Sequence, residues 1–361
     1  MKCPSVNLCC GLVAGAFVLS SITAFSEDGA KAPPKAPNQA MQQRIDDFAV
    51  RTYDGGEASS IADLFKDLTS QGIDLNAKSS WGTSILEMAI FRGDLESVRL
   101  LLKSGVKIVE TAPNGFTSLR AAAYTGQKDI ASFLIEQGAV PDIFSATALA
   151  RVDEVRRILE RSPAQANATI ARHVGVTPLM WAAYAGGQGK MDLFTPLWTG
   201  RLAIADLLIK KGANVNAITE TGEVALGDAI GCRGVYPLAE LLVKNGANVN
   251  VTNYPATFWT PLFTAAWFGD VAKAELLLRH GARVNARSNI GETPLHAAVR
   301  HSSTNVIGVL LAAGADTKLK DRDGVTPFEM ARRLNLDEAV ADIYIRHGIK
   351  LIDDPDTGWH E

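Results

Sequence analysis

Gly291-Glu292-Thr293-Pro294-Leu295-His296-Ala297-Ala298 decides the fold, because the chain keeps returning to it. Variants stand at Gly82-Thr83-Ser84-Ile85-Leu86, Gly115-Phe116-Thr117-Ser118-Leu119, Gly175-Val176-Thr177-Pro178-Leu179, Trp259-Thr260-Pro261-Leu262 and Gly324-Val325-Thr326-Pro327-Phe328. Leu86 to Leu119, Leu262 to Leu295 and Leu295 to Phe328 are each 33 residues apart. A fixed period of that size marks a solenoid, in which each unit buries its apolar face only against its neighbours. Function is then expected on a binding surface and not in a catalytic pocket.

Each part of the unit has a physical role. Threonine caps a helix N-terminus, and proline is tolerated at the first helical position because its missing N–H needs no partner there. The small pairs Ala182-Ala183, Ala265-Ala266 and Ala297-Ala298 let a neighbouring helix approach. A second helix follows, with apolar blocks at Leu100-Leu101-Leu102, Leu207-Leu208-Ile209 and Leu276-Leu277-Leu278. It stops at Gly138, Gly212, Gly246, Gly281 and Gly314, where glycine takes the left-handed conformation that closes a helix. Asn214 to Asn216, Asn248 to Asn250 and Arg283 to Asn285 then begin the turn into the next unit.

Gly-x-Thr-Pro-Leu-His-x-Ala-Ala, followed by Leu-Leu-x-x-Gly-Ala and Val-Asn, resembles the ankyrin repeat over roughly residues 60 to 348. The resemblance implies an all-α fold, an ankyrin-repeat solenoid of stacked helix-turn-helix units with hairpin loops projecting to one side. About eight units are expected over 79–348. One is degenerate at 142–170, where Gly138 is followed too soon by a helix at Asp142 to Leu149 and the hairpin is missing. Another carries an insertion near 187–200. Residues 41–78 are expected to form N-terminal capping helices, with an amphipathic helix around Ile45 and Phe48, and 349–361 a C-terminal tail.

Met1-Lys2 precedes an apolar run from Leu8 to Ile22, and Ala24 and Ser26 sit at cleavage-site spacing. Residues 1–26 therefore read as a secretory signal peptide, with cleavage near Ser26 and a periplasmic or secreted location. The run is short for a spanning helix, which needs about 20 apolar residues, so a membrane enters only if this segment stays uncleaved. Residues 27–40, rich in Ala, Pro and Lys, read as a flexible linker. Cys3, Cys9 and Cys10 fall in the signal, leaving Cys232 and no intramolecular disulfide. The formal net charge of −3, without basic blocks, argues against nucleic acid as a partner.

Catalytic and metal chemistry finds no support. Gly186-Gly187-Gln188-Gly189-Lys190 lacks the first glycine and the final Ser/Thr of a phosphate loop, since Tyr184 and Met191 stand there. Asp321-Arg322-Asp323-Gly324 has Met330 where a calcium loop needs glutamate. The six histidines show no metal-ligand spacing, and His296 belongs to the repeat motif. No cofactor, metal or catalytic residue is assigned, and the chain reads as a non-enzyme.

The ankyrin resemblance implies that partners touch hairpin tips and the exposed ends of first helices. Mapped onto this chain, those positions hold Trp81, Phe91, Phe116, Tyr124, Tyr184, Trp259, Trp267 and Phe268, in a sequence only 7% aromatic. Tyr254 and Phe258 join them on a lengthened loop before Trp259. Glu220, Glu223, Asn289, Glu292, Val176, Arg300 and His301 fall on the same set. Aromatic residues and arginine dominate binding hot spots. The expected function is an exported scaffold or regulator that binds another protein through this aromatic-rich concave face. A secreted effector or immunity protein is the alternative, and an enzyme subunit with a site at an interface is a remote one. The apolar insertion, with Leu193, Phe194, Leu197 and Trp198, either folds back on the array or docks a partner.

Overall fold

The repeat motif acts first as a helix starter. In the computed structural model the hydroxyls of Thr117, Thr260, Thr293 and Thr326, on extended backbone, each accept from the amide three residues on. Glu87 and Glu329 reach back to the amides of Ser84 and Thr326, completing capping boxes. The structure describes residues 70, 75–76, 78, 83–108, 117–170, 175–183, 196–231, 236–252, 258–350, 352–354 and 358–360. Between paired helices the chain reverses through a left-handed residue. Gly269 does so at φ 68°, and Ala150, Ser302 and Asn335 are driven into the same conformation at 54–57° where the unit lacks glycine.

The chain divides into two compact units. In the first, α1 (Ile85–Arg92), α2 (Leu95–Lys103), α3 (Ser118–Tyr124), α4 (Lys128–Glu136), α5 (Ile143–Ala148) and α6 (Val152–Arg161) are consecutive helix pairs. First helices α1, α3 and α5 pack in sequence, and α2 packs on α4. Ile85, Leu86, Ile90, Leu101, Leu119, Ile130 and Leu134 fill the core between them. The pair α5–α6 begins only four residues after Ala139, so no hairpin precedes it. Asp142 caps α5 and ion-pairs with Arg120, whose guanidinium also lies 4.8 Å from the Phe144 ring.

The second unit holds a 3-10 helix (Pro163–Asn167) and α7 (Pro178–Ala183), α8 (Pro196–Lys210), α9 (Ala225–Gly231), α10 (Tyr236–Lys244), α11 (Pro261–Phe268) and α12 (Val271–Arg279). It continues with α13 (Pro294–Arg300), α14 (Thr304–Ala312), α15 (Pro327–Arg333) and α16 (Asp337–Arg346). The odd-numbered first helices α7 to α15 stack on one another, and the even-numbered second helices α8 to α16 stack behind them.

Asparagines lock successive turns together. The Asn216 amide donates to Gly246 O (2.9 Å) while its oxygen accepts from Asn248 N (2.7 Å). Asn250 repeats this on Gly281 O (3.0 Å) and Arg283 N (2.8 Å), and Asn167 on Gly212 O and Asn214 N. Asn285 accepts from Asp316 N at 2.9 Å. In the first unit Asn76 accepts from Lys107 N at 3.1 Å. These residues do more than begin a turn: each side chain satisfies the backbone of the next repeat.

One feature departs from the sequence reading. The C-terminal part of the presumed insertion is not loop: Pro196 to Gly200 are the opening turns of the 15-residue helix α8. Trp198 there is buried, with the buried Arg201 guanidinium 5.7 Å from its ring, so this end of the segment packs on its own unit. In the tail, β1 (Ile352–Asp354) pairs antiparallel with β2 (Gly358–His360). The signal segment, the linker, the capping region up to residue 69 and residues 184–195 lie outside the described residues.

Candidate functional site

Trp259, Phe263 and Trp267 are spaced four apart, which places them on one face of α11 and the residue that precedes its cap. Ring centroids lie 4.9 Å apart for Trp259–Phe263 and 4.8 Å for Trp259–Trp267, all tilted as aromatic quadrupoles prefer. Phe263 is buried and anchors the row, while Trp259, Trp267 and Phe268 are half-buried and partly open to solvent. Trp267 continues the row to the next repeat, where the His301 ring lies 3.9 Å away at the C-cap of α13.

Charge organises the edge of this row. Arg300 ion-pairs with Glu292, which belongs to the hairpin before α13 and is 1% exposed. The pair ties the helix end to the hairpin and holds a cation beside His301. Loss of water pushes the His301 pKa below the usual histidine range, and Arg300 adds to that. Phe258 stands at φ 54°, half exposed, on the approach to Trp259. Ile218 and Ile290 are exposed on other hairpins of this unit.

The hairpin tips touch. Ser288 N donates to Glu292 O and Asp321 N to Val325 O, closing each finger, and Arg322 N donates to Ile290 O across the gap (2.9 Å). A Cβ on Gly291, which stands at φ 80°, would meet Arg322 N at 3.0 Å. Behind the tips, the neutral His296 accepts from Thr293 N (3.1 Å) and donates through Nε2 to Val325 O (3.0 Å). Burial lowers its pKa, and the bond to the Val325 carbonyl works against that.

Family models described as ankyrin repeats match residues 57–147 and 238–321, and a single-repeat model matches 174–220. The chain belongs to the ankyrin-repeat family. It is 29% identical over 298 residues to human Rabankyrin-5, covering 74% of this chain and 22% of that protein. It is 33% identical over 174 residues to the neurogenic locus Notch protein of Drosophila melanogaster, 5% of whose length is matched. It is 47% identical over 75 residues to Protein PhlB of Serratia liquefaciens, 33% of which is matched. The chain thus covers a third or less of these relatives. Ankyrin repeats are protein–protein interaction modules, and the likeness carries that and the fold.

Within this ankyrin-repeat chain the expected site residues separate. Phe258, Trp259, Trp267 and Phe268 lie together in the second unit. Phe91 and Tyr124 are half-buried at the ends of α1 and α3 in the first unit, where Phe91 packs against the core. Trp81, Phe116, Tyr184 and Tyr254 lie outside the described residues. Two positions are corrected: Val176 and Glu292 are buried, so neither presents a side chain to a partner.

Lys273 escaped the sequence reading altogether. It is 1% exposed in α12, and its ammonium donates to Ile230 O at the end of α9 (2.9 Å) and pairs with Asp270 (3.3 Å). A cation suits a helix C-terminus, where carbonyl dipoles converge. The Asp270-x-x-Lys273 spacing was the available signal, but on a second helix it reads as a surface pair. Among the described residues no cluster of His, Cys, Asp and Glu is arranged to hold a metal. No helix among them is long and apolar enough to cross a membrane.

Proposed function

We propose that this chain is a non-enzymatic, exported scaffold or regulator that holds a partner protein against Phe258, Trp259, Trp267, Phe268 and His301. The observation that carries the reading is the ring row Trp259–Trp267–His301, which spans two repeats while keeping part of each indole open to solvent. Rigid aromatics lose little entropy on binding, so a row pre-ordered by its own ring contacts is suited to an interface centre. Arg300, fixed by Glu292, supplies a polar edge to the same surface. Export rests on Met1 to Ser26, whose apolar run and small residues fit a cleaved signal.

The test captures proteins from a periplasmic extract on the wild-type chain and on the Trp259→Ala/Trp267→Ala variant. A partner enriched by the wild type should fall at least about tenfold on the variant, as hot-spot truncations do. Equal recovery removes this surface from the reading. N-terminal sequencing of the protein from its host should begin near Glu27, and a chain retaining Met1 would refute export by cleavage.

A further inference from the structure

One pair of positions on the finger side of the second unit is filled differently in successive repeats. It joins the second residue before a first helix to the seventh residue of that helix. At α13 the pair is Glu292 and Arg300, an ion pair; at α11 it is Trp259 and Trp267, with ring centroids 4.8 Å apart. At α9 the same positions hold Glu223 and Gly231. The glycine supplies no partner, and a Cβ there would meet nothing within 4 Å among the described residues. Since α11 packs on α9, the repeat that carries the tryptophan pair stands next to this open place.

Glu223 itself is held firmly and is half-buried. Thr219 N donates to Glu223 O (3.0 Å) and Glu223 N to the Thr219 hydroxyl (2.9 Å), so its finger closes without using the carboxylate. Among the described residues no lysine or arginine lies within ion-pair distance of that carboxylate, which bonds to Thr221. Loss of water pushes its pKa up, and the Thr221 bond offsets this only in part. The chain shows twice what suits such a group. Arg300 answers Glu292 at the same two positions, two repeats on. In the first unit Arg120 pairs with Asp142 while its guanidinium lies 4.8 Å from the Phe144 ring. A carboxylate near an aromatic face favours a guanidinium, whose fork meets the oxygens and whose plane stacks on the ring.

We propose that Glu223, the open side of Gly231 and the Trp259–Trp267 pair form a notch for an arginine side chain of the partner protein, which takes the place beside Glu223 that Arg300 takes beside Glu292. The inference rests on the aromatic surface proposed above and names the chemistry it recognises. The tryptophans supply contact area, and Glu223 supplies the preference for a fixed positive charge. Being half-buried, that carboxylate is screened by salt less than a fully exposed one.

Titration of the full chain with the peptide acetyl-Gly-Arg-Gly-amide, read at the indole N–H signals of Trp259 and Trp267 by NMR, tests this. Saturable shifts are expected, and the citrulline analogue, which keeps the shape without the charge, should bind roughly fivefold more weakly. Glu223→Gln should weaken the arginine peptide by a similar factor and leave the citrulline peptide unchanged. Its finger is closed by bonds that the substitution does not touch, so the variant keeps its fold. Gly231→Arg should fill the notch and exclude the arginine peptide, whereas Gly231→Ala should not. No saturable shift, equal affinity for the two peptides, no effect of Glu223→Gln, or undiminished binding to Gly231→Arg overturns the proposal. The two readings fail separately. A captured partner lost on Trp259→Ala/Trp267→Ala but fully kept on Glu223→Gln leaves the aromatic surface standing and removes the notch. Arginine-selective peptide binding alongside equal partner recovery on the tryptophan variant does the reverse.

Discussion

Trp267 and His301 belong to consecutive repeats, in α11 and at the cap of α13, yet their ring centroids are only 3.9 Å apart. The contact carries the aromatic row across a repeat boundary. It also takes water from one side of the imidazole, whose pKa is lowered first by burial and then by Arg300.

Replacing Trp267 by alanine should therefore raise the His301 pKa toward the ordinary histidine value. The return should be incomplete, because Arg300 remains beside it. Imidazole proton shifts followed by NMR across pH 4 to 8 measure this. An unchanged or lower pKa contradicts the assigned cause.

Lys273 is a buried cation of the second unit. Lys273→Ala leaves the Ile230 carbonyl without its buried donor and Asp270 without its cation, and should cost about 3 kcal/mol in urea unfolding. Lys273→Met keeps the stem volume and should cost less. Equal losses would show that the ammonium and its bonds, not the packing of the stem, dominate.

Asn250 makes two bonds to the next turn, and the variants separate them. Asn250→Asp keeps the acceptor for Arg283 N but loses the donor to Gly281 O; Asn250→Ala loses both. Destabilisation of about 1 kcal/mol per bond is expected, so alanine should be the worse substitution. Chemical denaturation ranks them.

His296 predicts acid sensitivity of a definite sign. Its folded pKa is lowered by burial, so the unfolded chain takes up the proton more readily. Its contribution is complete above the unfolded pKa of about 6.5 and is lost as pH falls below it. Protonation also removes the Nδ1 acceptor that Thr293 N requires. The urea midpoint of the wild type should drop between pH 7.5 and 5.5 by more than that of His296→Gln. Exposed His301 shares the sign but is common to both proteins, so the difference isolates His296.

The local grammar was readable because it is made of short-range physics. Thr-Pro starts a helix and Gly-Ala ends one wherever they stand, so Thr293, Pro294 and Gly314 announce their own conformations. The clustering of Phe258, Trp259, Trp267 and Phe268 was legible for the same reason, since all four sit within one repeat. Glu292 and Val176 were misplaced on the surface because finger positions alternate between solvent and the neighbouring repeat, and only packing shows which is which. Pro196 to Gly200 were mistaken for loop because a period of 33 residues assigns every excess residue to an insertion, whereas here a second helix is lengthened at its start.

The sequence by itself determined the helix pairs, their period and the aromatic residues at the finger side, because caps, turns and apolar blocks act within a few residues. Tertiary structure alone decided how one repeat holds the next. The Asn250 latch, the Lys273 bond to Ile230 O, the His296 bond to Val325 O and the Trp267–His301 contact each join residues 29 to 43 apart. Such pairs exist only once the stack has formed, since it is the stack that brings a polar or aromatic group to a neighbour it cannot meet along the chain.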